Sequence, residues 1–306
     1  MSNRANVANV GRAAEVGDVA GRALPRRVRL PRLSSPDIVT YAFLLVGAVV
    51  ILLPFFWMLL ASFKPSVDIL TYPPKLVPAA LTIENYDYVL TDTRFLTFVR
   101  NSFIVAFVTI CGHILSGTLV AYGFARFRFP GRNILFMFML GTIMIPFHAY
   151  MIPRFWIMKQ LGVLDSLAAV VLPYLFGGPL YIFLFRQFFM SIPNELDDAA
   201  RVDGANSLQV YWHILLPLAR PVVVTVAVIE FIASWNSFLE PLIYLNSQDN
   251  YTVTLGLSLF RSGFGGTIQW GPLMAATSLA VLPPLAVFFV AQRHIIGGIA
   301  SAGLKG

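Results

Sequence analysis

Three side chains in one apolar segment have the chemistry to bind a hydroxyl-rich solute. Glu230 lies well inside the segment 221–245, and a carboxylate at that depth is costly unless it has a function or a partner. Trp235 offers an indole face that can stack on the C–H surface of a sugar ring, and the adjacent Asn236 offers an amide for its hydroxyls. We therefore predict that Glu230, Trp235 and Asn236 line a solute path. A structural hydrogen-bonding role for Glu230 and a membrane-interface role for Trp235 are the alternatives.

A second group of ionisable residues interrupts the apolar sequence at 195–204, ELDDAARVDG. Three acids fall within its first four positions, where the dipole of a helix favours negative charge, and a proline–asparagine pair directly precedes them. Gly204 can adopt the left-handed conformation that ends a helix without a steric penalty. We therefore predict a short acidic helix that ends at Gly204, in which Asp197 and Arg201 can pair across one turn.

A second helix is expected to begin near Asn206 or Ser207 and to stop at Pro217. The acidic helix differs from a helix that lies on a membrane surface, which carries Lys and Arg on its polar face and bulky apolar residues opposite. Its adjacent Ala199 and Ala200 allow another surface to approach closely. An amphipathic connector is the alternative, but the two helices are better suited to docking a protein partner.

The composition indicates which elements carry these residues. Hydrophobic residues make up 57% of the 306-residue chain and charged residues only 12%, whereas charged residues make up about 25% of ordinary soluble domains. A spanning helix needs roughly 20 mostly apolar residues, and six windows satisfy this condition. We predict an all-α membrane protein with six transmembrane helices, at about 38–62, 101–124, 134–153, 163–188, 221–245 and 271–292.

Two of the predicted spans contain helix breakers. The fourth has Pro173, Gly177, Gly178 and Pro179 in its interior, and the sixth has the adjacent pair Pro283 and Pro284. Such breaks persist within a membrane where neighbouring helices or water satisfy the freed backbone groups. They favour a protein with a cavity or a path, and a purely structural kink is the alternative.

Basic residues predict the orientation of the spans. With the amino terminus in the cytoplasm, 15 of the 22 Lys and Arg residues flank the inner ends of the spans. Both termini and residues 189–220 are therefore expected in the cytoplasm. Residues 1–33 hold seven of these arginines and are predicted to be a disordered cytoplasmic tail. Residues 34–306 are predicted to form the transmembrane domain, with the helix–turn–helix at 193–217.

The remaining features argue against several functions. The single cysteine, Cys111, cannot form an intrachain disulfide, and the four histidines have no metal-binding spacing. Since no nucleophile–base arrangement is visible, we expect no catalytic residues and no bound metal. The net charge of +7 is concentrated in the amino-terminal tail, which is typical of membrane orientation rather than of nucleic-acid binding. The sequence contains no G-x-x-x-x-G-K-[ST] phosphate-binding loop, so any ATPase activity is expected in another chain.

The stretch 195–221, ELDDAARVDGANSLQVYWHILLPLARP, resembles the EAA loop of ABC importer permeases of the carbohydrate-uptake family. The family pattern is Glu-Ala-Ala, three residues, Gly, and a Pro near the next span. The corresponding residues here are Asp198, Ala199, Ala200, Gly204 and Pro217, with Asp in place of the family's Glu. The resemblance covers nearly all of residues 36–306 and includes AYGFARFRFPGR at 121–132, WNSFLEPL at 235–242 and the terminal GIASAGLKG.

The resemblance implies a type I ABC importer permease fold that crosses the bacterial or archaeal cytoplasmic membrane several times. It also implies a sugar or sugar-like solute that moves by alternating access, powered by ATP hydrolysis in a separate subunit. The residues implied to couple the chain to that subunit are Glu195, Asp198, Ala199, Ala200, Arg201, Asp203 and Gly204.

The resemblance further implies several partners. They are a dimer of ATP-binding-cassette ATPases, a paralogous permease subunit, the lipid bilayer, and an extracytoplasmic solute-binding protein that the 246–270 loop would approach. ATP and magnesium would bind to the ATPase, with no cofactor in this chain and no nucleic acid.

Two other function classes are alternatives. An ion-coupled secondary transporter would work without an ATPase and would use Glu230 and His148 as a proton relay. An intramembrane enzyme is disfavoured because no paired catalytic groups lie at a plausible depth.

Overall fold

The computed structural model describes residues 35–65, 68–69, 71, 80–262 and 268–303. The predicted tail at 1–33 therefore lies outside the described residues, and its boundary with the transmembrane domain stays a prediction. The chain divides into a first unit that ends at Ile51 and a second that begins at Leu52. In the first unit, nearly all side chains from Ile38 onward are exposed, although they are apolar.

The described residues form helices joined by turns. The α-helices are α1 (Ser35–Ser62), α2 (Glu84–Asp87), α3 (Phe95–Arg126), α4 (Arg132–Gly141), α5 (Phe147–Gln160), α6 (Leu167–Val171), α7 (Pro179–Ser191), α8 (Glu195–Val202), α9 (Ser207–Val210), α10 (Leu216–Leu218), α11 (Arg220–Trp235), α12 (Leu239–Tyr244), α13 (Val253–Ser262) and α14 (Trp270–Gly303). Short π-helices lie at Tyr88–Asp92 and Tyr211–Leu215, and 3-10 helices at Thr142–Met144, Leu172–Phe176 and Gln248–Asn250.

Four helical segments are long and apolar enough to cross a membrane: Ile38–Ser62, Phe95–Arg126, Leu167–Ser191 and Trp270–Gln292. Two more reach that length only as bent pairs, α4 with α5 and the α9–α10 segment with α11. By length and composition, the described residues therefore contain four candidate spans, or six if each bent pair crosses the membrane as one unit. The all-α membrane architecture is confirmed, and the count of six stays a prediction.

The third and fifth predicted spans are not single straight helices. α4 and α5 meet at 99°, because Pro146 is extended and a new helix begins after it. The window 221–245 is wrong as one helix, since α11 ends at Trp235. The amide of Asn236 donates to the Ile232 carbonyl at 2.8 Å, a side-chain bond that competes with continuation of the helix. At its amino-terminal end, α11 follows the α9–α10 segment after a bend of 72°.

The break predicted in the fourth span is confirmed, whereas the break predicted in the sixth span is wrong. Gly177 has a φ of 82°, which glycine adopts without a steric penalty, and α7 begins at Pro179. By contrast, α14 continues through Pro283 and Pro284. It packs against α11 and α13, and neighbouring helices can support a helix where proline removes backbone hydrogen bonds.

The second unit is organised around α3, which packs against α7, α11 and the 3-10 helix that precedes the break. At Gly112 this packing brings backbone against backbone. A Cβ atom at Gly112 would lie 2.8 Å from the carbonyl oxygen of Tyr174 and 2.9 Å from Cα of Leu175. Gly117 lies further along α3, and a Cβ atom at Gly177 of the break would lie 3.4 Å from its Cα atom. Glycines on both sides therefore let α3 touch the break.

We predict that Gly112→Ala destabilises the protein by about 1–3 kcal/mol, the usual cost of overpacking, because backbone atoms would have to move. Gly123→Ala on the same helix is the matched control, since a Cβ atom there meets nothing within 4 Å. Thermal unfolding of the detergent-solubilised protein measures both changes. Equal midpoints for the two variants would contradict the close approach of α3.

Candidate functional site

A cavity of about 500 Å³ opens at the break in the fourth span. This volume lies within the range of about 300–1,000 Å³ that is usual for small-ligand sites. Six helical elements contribute to its wall, and they bring together ionisable and hydroxyl groups that lie far apart in the sequence. The polar side chains among the lining residues are His113 of α3, Arg154 of α5, Tyr174 of the 3-10 helix, Tyr181 of α7 and Glu230 of α11, with Tyr150 of α5 beside them.

Glu230 lies where α3, α7 and α11 meet, and it is only 5% exposed. The hydroxyl of Tyr181 donates to its Oε2 at 2.8 Å, and Nε2 of His113 lies 3.5 Å from the same oxygen. The imidazole also packs edge-on against the rings of Tyr174 and Tyr181. Glu230 therefore has the partners that an ionisable group at this depth requires, and it still lines the cavity.

A second carboxylate, Glu240 of α12, is held in the same region. Arg154 donates from Nη1 to Oε1 of Glu240 at 2.7 Å, and the hydroxyl of Tyr174 donates to Oε2 at 2.5 Å. The Arg154 guanidinium also lies 5.0 Å from the centre of the Tyr174 ring. Both charged side chains are 11% exposed, so the pair is largely desolvated. Losing one partner of such a pair is costly because it leaves a buried charge alone.

A smaller cavity of about 80 Å³ is lined by both carboxylates, Glu230 and Glu240. Ser234 and Thr252 also line it, and their hydroxyl oxygens are buried without a hydrogen-bond partner among the described residues. Polar groups in this state are satisfied by water where there is room, and a single water needs about 10–15 Å³ of such space. The region around Glu230 thus offers acceptors and hydroxyls to a small polar molecule.

The other predicted path residues are not among the residues that line these two cavities. Trp235 is 3% exposed, its indole N–H donates to the Ala280 carbonyl at 3.0 Å, and its ring stacks on Phe231. Asn236 is exposed at the end of α11. A solute role for these two residues stays a prediction. His148 is exposed on α5 and is not among the residues that line either cavity.

Sequence reasoning missed His113, Arg154 and Glu240 as site residues. Glu240 belongs to the WNSFLEPL stretch, which is a usable signal, whereas the sequence shows Arg154 only as a basic residue near the end of a predicted span. His113 gave no signal because its partners are far away in the sequence. Among the described residues, no three His, Cys, Asp or Glu side chains come together as metal ligands.

The predicted acidic helix is present as α8, and Gly204 follows it with a φ of 86°. Ala200 is packed inward at 9% exposure. The other residues assigned to coupling form an exposed, mainly acidic surface, which comprises Glu195, Asp198, Ala199, Arg201, Asp203 and Gly204. The geometry suits docking, and the coupling role of these residues stays a prediction.

The second helix of the pair begins at Ser207 as predicted, but it does not stop at Pro217. Asn206 caps it, accepting from the backbone N–H of Gln209 at 2.9 Å while Gln209 accepts from the backbone N–H of Asn206. The helix then passes through a π-helical turn into α10, which ends at Leu218. Pro217 is the second residue of α10 and directly follows the π-helical turn, so the helical backbone continues through the proline.

The buried partner of Asp197 is Arg126 at the end of α3, rather than Arg201 as predicted. Nε of Arg126 lies 2.9 Å from Oδ2 of Asp197, and the two side chains are 5% and 7% exposed. Burial raises the pKa of Asp197 above its usual range, and the Arg126 charge acts in the opposite direction. The sequence could not show this contact because the pair joins separate elements.

Asp165 organises the loop between α12 and α13 at the predicted outer end. Its carboxylate accepts from the hydroxyl of Ser247 and from the backbone N–H groups of Asn246 and Ser247 at 2.9 and 2.8 Å. The hydrogen bonds from Ser247 are the main cause that lowers the pKa of Asp165 to about 2. Asn101 of α3 also donates to the carbonyls of Asp249 and Tyr251, so the loop is held from two sides.

The family model described as "binding-protein-dependent transport system inner membrane component" matches residues 113–300. The chain is 33% identical over 284 residues to an arabinooligosaccharide transport system permease of Halalkalibacterium halodurans, covering 92% of this chain and all of the relative. It is also 33% identical to a diacetylchitobiose uptake permease of Streptomyces coelicolor (87% and 88% covered) and to an sn-glycerol-3-phosphate transport permease of Yersinia enterocolitica (86% and 95% covered).

A solved structure shares the fold. It is a bacterial ABC transporter involved in the import of the acidic polysaccharide alginate, with a TM-score of 0.75. The identity is 24%, and the match covers 86% of this chain and 99% of that one.

We predict that Asp165→Asn speeds amide hydrogen exchange at Asn246 and Ser247, because both N–H groups donate to this carboxylate. Since the pKa is lowered from 3.8 to about 2, its stabilisation is complete above the higher value and is lost as pH falls through the lower one. Asp249→Asn in the same loop is the control, because its side chain pairs with exposed Arg94. Equal exchange at 246 and 247 in both variants would contradict the assigned role of Asp165.

Proposed function

Because this chain belongs to the family of binding-protein-dependent transport system inner membrane components, we propose that it lines the path by which an ABC importer moves a sugar or sugar-like solute. The observation that carries this proposal is the cavity at the break in the fourth span, with buried Glu230 in its wall. The relatives are named for arabinooligosaccharides, diacetylchitobiose and glycerol phosphate, which supports a hydroxyl-rich solute.

The charges around the two cavities favour an uncharged solute. Glu230 and Glu240 supply two carboxylates against the single guanidinium of Arg154, which is already paired with Glu240. A phosphate or uronate group would meet the negative charge of Glu230, and like charges brought together without solvent are unfavourable. Sugar hydroxyls can instead donate to a carboxylate. We therefore propose a neutral carbohydrate, for which Glu230 is the main acceptor on this subunit.

The exposed surface of α8 is the proposed docking site for an ATP-binding-cassette ATPase. It presents Glu195, Asp198 and Asp203 together with Arg201. ATP and magnesium would bind in that partner, whose closure would drive alternating access of the cavity. The cavity would be completed by a paralogous permease subunit, and a solute-binding protein outside would deliver the sugar near the loop held by Asp165.

The membrane arrangement completes the proposal. The family description supports an inner membrane location. We propose that both termini and the α8–α10 segment face the cytoplasm, as the distribution of basic residues predicts. The bent pairs would then each serve as one span, and residues 1–33 would lie on the cytoplasmic side.

The alternative of an ion-coupled secondary transporter is not favoured. That hypothesis joined Glu230 to His148 in a proton relay, but Glu230 contacts Tyr181 and His113 instead. His148 is exposed on α5. Family membership also supports an importer that works with a binding protein.

We predict that reversing two exposed charges of α8, in Asp198→Lys with Asp203→Lys, lowers solute-stimulated ATPase activity about tenfold or more, because charge mismatch at an interface costs several kcal/mol. Pull-down of the ATPase with the complete transporter should weaken in parallel. The control is Glu84→Lys with Asp87→Lys, which reverses two exposed acids on α2. Normal solute-stimulated ATPase activity and normal solute uptake in the α8 variant would contradict the docking assignment.

We also predict that Glu230→Gln raises the KM for uptake of the neutral sugar by about 10–100-fold, because a hydrogen bond to a charged group contributes about 1.5–3 kcal/mol. Uptake into proteoliposomes that contain the complete transporter and its binding protein measures this effect, with exposed Glu84→Gln as control. If the wild-type transporter prefers a phosphorylated or uronic solute to its uncharged counterpart, the proposed solute class is wrong.

A further inference from the structure

Three polar side chains on one face of α3 hold the α8–α10 segment. Thr118, Tyr122 and Arg126 are spaced four residues apart, so they form a row along the last turns of the helix. The hydroxyls of Thr118 and Tyr211 are 2.7 Å apart, and the hydroxyl of Tyr122 donates to the Ser207 carbonyl at 2.9 Å. Since neither contact involves a neighbour in sequence, α3 fixes the position of the second helix of the pair.

Arg126 makes the corresponding contact with α8 and binds three groups at its start. Besides the ion pair with Asp197, it donates from Nη2 to the Ile192 carbonyl at 3.0 Å and from Nη1 to Oδ1 of Asn194 at 2.6 Å. These acceptors surround the point where α7 ends and α8 begins. A planar guanidinium can serve several acceptors in fixed directions, which a lysine ammonium at the same position would not do equally well.

The rest of α8 has few other attachments. Ala200 is packed into the apolar cluster that contains Ala121 and Phe189, while most of the remaining α8 residues are exposed. A helix of eight residues is too short to hold its position by its own hydrogen bonds. The buried Arg126–Asp197 pair is therefore the main polar contact that fixes the orientation of α8 relative to the membrane helices.

The helix that carries Arg126 also forms a wall of the cavity. α3 is continuous from Phe95 to Arg126, and His113 lies on it 13 residues before Arg126. At 1.5 Å per residue, this places the cavity about 20 Å from the end that holds α8. Because His113 contacts Glu230 and Gly112 contacts the break, a displacement of this end of α3 changes the packing around the cavity.

We propose that Arg126 is a positioning residue for transport, since it ties α8 to α3 and so carries a displacement of α8 to the wall of the cavity. This inference rests on the proposed docking of an ATPase on α8. The inference adds that a displacement of α8 reaches the cavity through α3, by way of the contact between Arg126 and Asp197. The chain connections of α8 to α7 and α9 are insufficient by themselves to transmit this displacement.

The test measures coupling rather than assembly. In the complete transporter, Arg126→Gln is expected to leave ATPase pull-down and ATP hydrolysis close to wild type, while solute uptake per ATP falls about tenfold, as expected for loss of a charged hydrogen bond. Arg128→Gln is the control, because Arg128 is exposed two residues further on. An unchanged uptake per ATP in Arg126→Gln would overturn the proposal.

Two further variants separate positioning from simple instability. The double variant Arg126→Gln with Asp197→Asn should be no worse than Arg126→Gln alone if both residues act through one contact, and additive losses would overturn that view. If the Arg126→Gln variant does not assemble into the transporter, Arg126→Lys decides the question. This variant keeps the positive charge but loses the planar guanidinium that donates to several acceptors at once. A lowered uptake per ATP at normal thermal stability supports the proposal, and a wild-type ratio overturns it.

The same measurements distinguish the two proposals. If the wild-type chain does not bind the ATPase through α8, the docking proposal itself fails. If docking persists in every variant while uptake per ATP is insensitive to Arg126, docking stands and the role of Arg126 fails.

Discussion

The backbone contact between α3 and the break in the fourth span is the constraint on which the candidate site depends. It exists because Gly112 on α3 and Gly177 at the break place no side chain between the two backbones, and because Gly177 can adopt a positive φ. The contact leaves the imidazole of His113 beside the break, where it reaches Glu230 on α11. A side chain at Gly112 would separate the elements that form the cavity wall, so the polar site is a consequence of local backbone geometry.

Buried charge imposes the second condition. Among the described residues, three buried carboxylates are each paired with a group from another helix: Glu230 with Tyr181, Glu240 with Arg154, and Asp197 with Arg126. An unpaired charge in a low-dielectric interior would be strongly destabilising, so these pairs restrict how the helices can be arranged. The same requirement gives the cavity its acceptors, because the carboxylates that hold the helices together also line the space between them.

α3 links three regions that the proposed function needs. Near its start, Asn101 and Ser102 hold the loop before α13; in its middle, His113 borders the cavity; at its end, Arg126 holds α8. Buried residues recur along it at helical spacing, so one side of a single rigid helix faces all three. For an importer, in which an event at one membrane surface must change a site within the membrane, a continuous helix of this kind is an effective mechanical connection.

The sequence by itself determined what depends on neighbouring residues: the apolar spans, the acidic helix that ends before Gly204, the break at Gly177, and the motif that identifies the family. Only the tertiary structure decided the partners of the buried charges, because the partners are distant in the sequence. Tyr181 and Glu230 are 49 residues apart, and Arg154 and Glu240 are 86 residues apart. It also decided that α14 continues through its proline pair, since support from packed helices outweighs a local preference to break. Local signals are carried by composition and spacing, whereas a contact between distant helices depends on how the whole bundle packs.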